Sequence, residues 1–237
     1  SCKLIDGHRG MFKAEQLTEN INDPEQYYLP LSSLVVVENT TNKGGGACWD
    51  YTELEKIQKV CAERGLSYHL DGARLFNALV AKNEAPKQYG KLFDSISICL
   101  SKGLGAPIGS LLLSSEKNIY NAIRIRKLFG GGMRQVGYLA AAGIYALDHH
   151  VDRLEEDHHR ANTLGQALMA SDWVEKVEPI ETNIIIFKLH KNLDEQLFLT
   201  ALEKENIKLI SMGEGKLRIV THLDFTDEML SKVVEVL

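Results

Sequence analysis

Lys102 stands between Ser101 and Gly103, just after the apolar, β-prone run Ile96–Leu100. An ammonium group at the end of a buried strand loses hydration, and its pKa tends downward. The free amine can then form a Schiff base with a carbonyl compound. A second apolar run, Leu66–Leu70, stops at Asp71 within His69-Leu70-Asp71-Gly72-Ala73-Arg74. Asp71 and Lys102 lie 31 residues apart, close to the ~30 residues of one strand–helix–strand unit. Parallel neighbours carry their carboxyl ends to one edge of a sheet, where open α/β sheets bind ligands. Both side chains are therefore expected to face one crevice. Two chemistries suit the pair. One is a structural salt bridge. The other is a pyridoxal phosphate site, in which a lysine holds the aldehyde as an imine and a carboxylate keeps the ring nitrogen protonated.

The elements that would position them are readable in outline. Leu34–Val37 is a short β-branched run, followed by Glu38-Asn39-Thr40 and a loop with Gly44-Gly45-Gly46. Asp50 can cap a helix carrying Leu54, Ile57 and Cys61 at helical spacing, with Gly65 as its stop. A helical pattern runs from Leu75 to Ala81, and Gly109–Leu113 reads as a strand close behind Lys102. Alternating strands and helices predict an α/β fold, a mostly parallel sheet covered by helices. Helices are expected at 117–127, 135–147 and 151–170, the first two broken by Gly130-Gly131-Gly132. After Ser171 the texture becomes mixed: strands at 182–189 and 216–220, helices at 195–205 and 226–236. A large domain over residues 1–150 and a small C-terminal α+β domain over 151–237 are expected.

Composition narrows the class. At 44% hydrophobic and 25% charged residues, the chain is ordinary for a globular protein. The net charge of −5 comes with scattered basic residues, which argues against a nucleic-acid surface. No apolar stretch approaches the ~18 residues of a membrane span. Cys2, Cys48, Cys61 and Cys99 form no Cys-x-x-Cys pair, so reduced thiols in a cytoplasmic protein are expected, with no zinc site. His149, His150, His158 and His159 lack i,i+4 spacing, so they read as a solvated face and no metal is expected.

Four segments carry a resemblance to a known family. They are Leu70-Asp71-Gly72-Ala73-Arg74-Leu75-Phe76-Asn77-Ala78, Cys99-Leu100-Ser101-Lys102-Gly103-Leu104-Gly105-Ala106-Pro107-Ile108-Gly109-Ser110, Gly130-Gly131-Gly132-Met133-Arg134-Gln135 and Leu217-Arg218-Ile219-Val220-Thr221-His222. In this order they resemble the low-specificity threonine aldolases, fold-type I pyridoxal phosphate enzymes of the β-eliminating lyase/threonine aldolase group. The resemblance implies a pyridoxal 5′-phosphate transferase-like major domain and cleavage of β-hydroxy-α-amino acids to glycine and an aldehyde. It implies Lys102 as the Schiff-base lysine, Asp71 as partner of the pyridine nitrogen and Arg74 beside the ring oxygen. Arg218 matches the arginine that clamps the substrate carboxylate, a task suited to a bidentate fork. Ser101, Arg134 and Lys127 match cofactor-binding positions, the last two reaching across a subunit interface. A homodimer or homotetramer with shared active sites follows.

The chain departs from the family in places. Thr41 stands where a histidine is usual, and Tyr28 occupies a region where relatives carry an active-site histidine. Tyr28 is expected to reach the substrate hydroxyl, although an unperturbed tyrosine is a poor base at pH 7. Roughly the first third of a family member, with its phosphate loop and stacking histidine, has no counterpart here. Another fold-type I β-eliminating lyase and a non-catalytic binding module remain open readings.

Overall fold

The computed structural model describes residues 1–237. In chain order the elements are α1 (Ala14–Asn20), β1 (Leu34–Glu38), α2 (Tyr51–Arg64), β2 (Ser67–Gly72), α3 (Leu75–Lys82), α4 (Pro86–Leu92), β3 (Ser95–Cys99), β4 (Ser110–Ser114), α5 (Glu116–Leu128), α6 (Gly137–His149), α7 (Leu154–Ala170), β5 (Val174–Val177), β6 (Ile184–Leu189), α8 (Glu195–Lys204), β7 (Ile210–Gly213), β8 (Lys216–Val220) and α9 (Asp227–Val236).

Two four-stranded sheets organise them. The first has the order β1-β2-β3-β4 and the second β5-β6-β8-β7. In the first, β1, β2 and β3 are parallel and β4 returns antiparallel to β3. The α/β reading with a mostly parallel sheet holds. Side chains alternate across a strand, and one face carries Val35, Val37, Tyr68, Leu70, Ile96 and Ile98 into a core shared with Leu54, Ile57 and Cys61 of α2. On the opposite face Leu34, Val36 and Leu112 are exposed, so the helices of this chain cover one side of the sheet. The second sheet is antiparallel throughout, with Ile185, Phe187, Leu189 and Leu217 packed against Ala161, Leu164 and Leu168. Helix α7 serves both cores, because Leu154 at its start belongs to the first.

Local signals account for the ends of these elements. Asp50 accepts the Thr52 N–H at 2.9 Å and caps α2, and Gly65 closes that helix in the left-handed conformation at φ 64°. Elements without such signals were illegible. Helices α1 and α4 have only 7 residues each, and β5 alternates charge with valine over 4 residues.

One interdomain tie fixes the segment after β1. Arg9 donates from Nε to Gly44 O at 2.8 Å and from Nη2 to Pro179 O at 2.7 Å, and it pairs with Glu181. Glu181 in turn accepts the Cys48 N–H at 3.2 Å, and Thr182 donates to Gly46 O at 2.8 Å. The loop between β1 and α2 is thereby held against the entrance to β6.

Candidate active site

The carboxyl ends of β2 and β3 meet the start of β6 and the end of β8. A cleft of about 430 Å³ opens there, lined among others by Arg74, Ser101, Lys102, Asn183, His222 and Asp224. Lys102 sits in the turn after β3. Gly105 at φ 70° lets this turn close, with Gly105 N–H donating to Lys102 O at 2.9 Å. A side chain at Gly105 would also displace the end of Leu223, 2.9 Å away, but it is the positive φ that favours glycine there.

The structure brings some of the expected residues together and not others. Lys102, Ser101 and Arg74 share the cleft. Arg218, in β8, joins them through Asn42. The Asn42 amide oxygen accepts Arg74 Nη1 at 3.3 Å and Arg218 Nη1 at 3.0 Å. Lys102 is exposed in this chain, unlike the desolvated lysine that a strand end suggested, because the turn carries it three residues past β3 into the cleft mouth.

Asp71 lies on the same sheet edge but does not line the cleft with Lys102. It borders a neighbouring cavity together with Glu38 and Val36, and its Oδ1 accepts the Ala73 N–H at 3.0 Å. Asp71 faces the exposed side of the sheet, with Leu34 and Val36, because its β2 neighbours Leu70 and Gly72 are buried and side chains alternate along a strand. Arg74 is the bridge between the cleft and this cavity, lying in electrostatic reach of Asp71 and Glu38.

Arg134 and Lys127 are exposed at the α5–α6 connection and do not line this cleft. Tyr28 is 69% exposed, also outside it, and its hydroxyl donates to Gln26 Oε1 at 3.4 Å.

The electrostatics favour an anion. Neither Arg74 nor Arg218 forms an ion pair with any carboxylate of the chain, although they share one acceptor. Burial, and then the like charge of Arg218, hold Arg74 below the ordinary arginine value, with Glu38 acting in the opposite sense. Arg218 Nε and Asn183 Oδ1 are buried without a hydrogen-bond partner. Buried polar atoms are rarely left unpaired, and a polar ligand bound in the cleft would pair with these two. A lysine, a serine hydroxyl and two unpaired guanidiniums form a donor set that suits pyridoxal phosphate with an amino acid carrying a carboxylate.

Asn42, Asn183, His222 and Asp224 are site residues that sequence reasoning missed. The first belongs to a glycine-rich loop and carried no signal. His222 was readable as the polar stop of β8. Its Nδ1 accepts the Asp224 N–H at 3.3 Å, so in the neutral ring the proton sits on Nε2.

The histidine-rich stretch is not a solvated face throughout. His150 bonds through Nδ1 to Leu104 O at 2.6 Å, inside the lysine turn. His158 is buried and its Nε2 accepts from Asn77 Nδ2 at 3.1 Å, while Asn77 packs beside Gly103. Helix periodicity explains the split, since positions 158 and 159 point in different directions. Burial lowers His158 to about 4, against ~6.5 for a free imidazole. The unfolded chain then binds a proton that the native state refuses. Stability is full above pH ~6.5 and falls as pH drops toward 4. Relative to pH 7, urea unfolding at pH 5 should show His158 costing about 2 kcal/mol. His158→Gln, which retains an acceptor for Asn77, should remove that part of the slope. An unchanged slope would refute the assignment.

Known proteins resemble this chain in sequence and fold. Residues 1–192 match the β-eliminating lyase family. The chain is 36% identical over 221 residues to low-specificity L-threonine aldolase 1 of Arabidopsis thaliana, covering 92% of this chain and 62% of that protein. It is 40% identical over 210 residues to the low specificity L-threonine aldolase of Escherichia coli K12, covering 89% of this chain and 61% of that protein. The chain thus spans about three fifths of the length of these relatives. The threonine aldolase structure from Leishmania major superposes with a TM-score of 0.81 at 22% identity, over 97% of this chain and 67% of that one. With its family match over residues 1–192 and these relatives, the chain belongs to the β-eliminating lyase family.

Proposed function

We propose that the protein is a pyridoxal phosphate-dependent carbon–carbon lyase that cleaves β-hydroxy-α-amino acids such as threonine or allo-threonine to glycine and an aldehyde. The observation that carries this reading is the pair Arg74 and Arg218, two guanidiniums converging on one neutral oxygen beside Lys102 with no carboxylate of the chain in ion-pair contact. When bound, pyridoxal phosphate supplies the sink for the electron pair released from the broken carbon–carbon bond. Lys102 would hold the cofactor through its aldehyde carbon. Ser101 would donate toward the phosphate, and Asp71 would keep a proton at the ring nitrogen. Arg218 would grip the substrate carboxylate and fix the orientation of Cα, with Arg74, placed beside the ring oxygen, adding its positive charge at the same spot.

The remaining assignments extend this reading. Arg134 and Lys127, exposed at the α5–α6 connection, would act on the site of a neighbouring copy in a homodimer or homotetramer. Tyr28 would reach the substrate hydroxyl only when that segment meets the cleft. No helix is long and apolar enough to cross a membrane. The four cysteines are free, which supports a cytoplasmic compartment, and a role in glycine formation would follow from the cleavage itself.

Product analysis tests the reaction. Incubated with threonine or allo-threonine, the protein should release glycine and acetaldehyde in equal amounts. Ammonia and a keto acid would instead assign it to β-elimination and overturn the aldolase reading.

A further inference from the structure

Asn42 occupies an unusual position for a loop residue. Its backbone N–H donates to Glu38 Oε2 at 3.0 Å, the carboxylate whose charge acts on Arg74. Its side-chain oxygen accepts from Arg74 and Arg218 together, joining a helix start in one layer to a strand of the other, 176 residues away in sequence. The loop that presents it is itself fixed. Thr41 N–H donates to Ala47 O at 3.0 Å and Gly46 N–H to Thr41 O at 2.9 Å, and the Arg9 and Glu181 contacts tie it to the small sheet. Guanidiniums brought this close repel one another. An aspartate at this place would relieve that repulsion with charge-assisted bonds to both, yet the chain carries the uncharged isostere.

We propose that Asn42 is a positioning residue that determines carboxylate specificity: its neutral amide oxygen aligns Arg74 and Arg218 while leaving both positive charges for the carboxylate of the ligand. The inference rests on the amino-acid reading of the cleft but not on bond cleavage. A carboxylate at position 42 would compete with the ligand for the same donors. A neutral acceptor aligns the donors and competes far less, because it occupies one N–H of each without neutralising their charge. A residue serving only as a structural acceptor would give the opposite ranking, because a carboxylate is the stronger acceptor.

The test is the ratio of glycine to glycinamide affinity, measured by calorimetry on the purified protein with and without pyridoxal phosphate. The two probes differ only in the carboxylate, so a loss of folded protein cancels in the ratio. The wild type should prefer glycine. Asn42→Asp should lower the ratio at least tenfold, and Asn42→Ser, neutral but shorter, should lower it less. A ratio for Asn42→Asp equal to or above that of Asn42→Ser overturns the proposal, as does a wild type that does not prefer glycine. Turnover plays no part, so failure of the lyase reading alone would appear in the products and not in this ratio.

Discussion

Arg218→Ala is expected to lower kcat/KM for a β-hydroxy-α-amino acid a hundredfold or more, with most of the loss in KM, and to leave the fold intact. Truncating one member of a buried, hydrogen-bonded charge pair costs about 2–5 kcal/mol, and each 1.4 kcal/mol is tenfold. The partner of Arg218 in that pair is the ligand carboxylate, since the chain supplies none. Arg218 instead faces Arg74 across Asn42. Its removal therefore relieves repulsion in the free protein, and Arg74, held low partly by that neighbour, moves back toward its ordinary value. A melting temperature equal to or above the wild-type value, together with the raised KM, is the expected pair of results. Arg218→Lys keeps the charge but loses the fork, and should recover only part of the affinity. Unchanged kinetics in Arg218→Ala would mean that the carboxylate is bound elsewhere.

Lys102→Ala should remove turnover by a factor on the order of 10⁴ or more, the scale seen when a covalent catalytic group is deleted. Lys102 is exposed and takes no hydrogen-bonding role through its side chain, while the turn around it is closed by Gly105 and clamped by His150 at Leu104 O. The variant should therefore fold as the wild type does. Circular dichroism and steady-state rates on the same preparation check both halves. Full activity in the variant would remove Lys102 from the chemistry.

The sequence was most legible where local chemistry decides the outcome. The apolar runs Leu34–Val37, Leu66–Leu70 and Ile96–Leu100 became three parallel strands in register, Glu38 beside Asp71 and Asp71 beside Ser97. Asp50 and Gly65 marked the ends of α2 because a cap and a left-handed stop are properties of one or two residues. What depends on long-range approach was not legible. Asn42 joins the site through arginines 32 and 176 residues away, and no periodicity encodes that. The hydrogen bond from Ala73 N–H to Asp71 is likewise a product of the turn that follows β2, where strand periodicity stops. The histidines of α7 were misread as one face because the helix turns 100° per residue, burying His158 against Asn77.

The central claim is that Lys102 captures an aldehyde cofactor in the cleft shared with Arg74. Pyridoxal phosphate added to the purified protein should produce a visible absorption band that borohydride reduction converts into a stable label on the peptide containing Lys102. The band and the label should both be absent in Lys102→Ala. A wild-type protein that stays colourless after incubation with the cofactor, or a label on a different lysine, would contradict it.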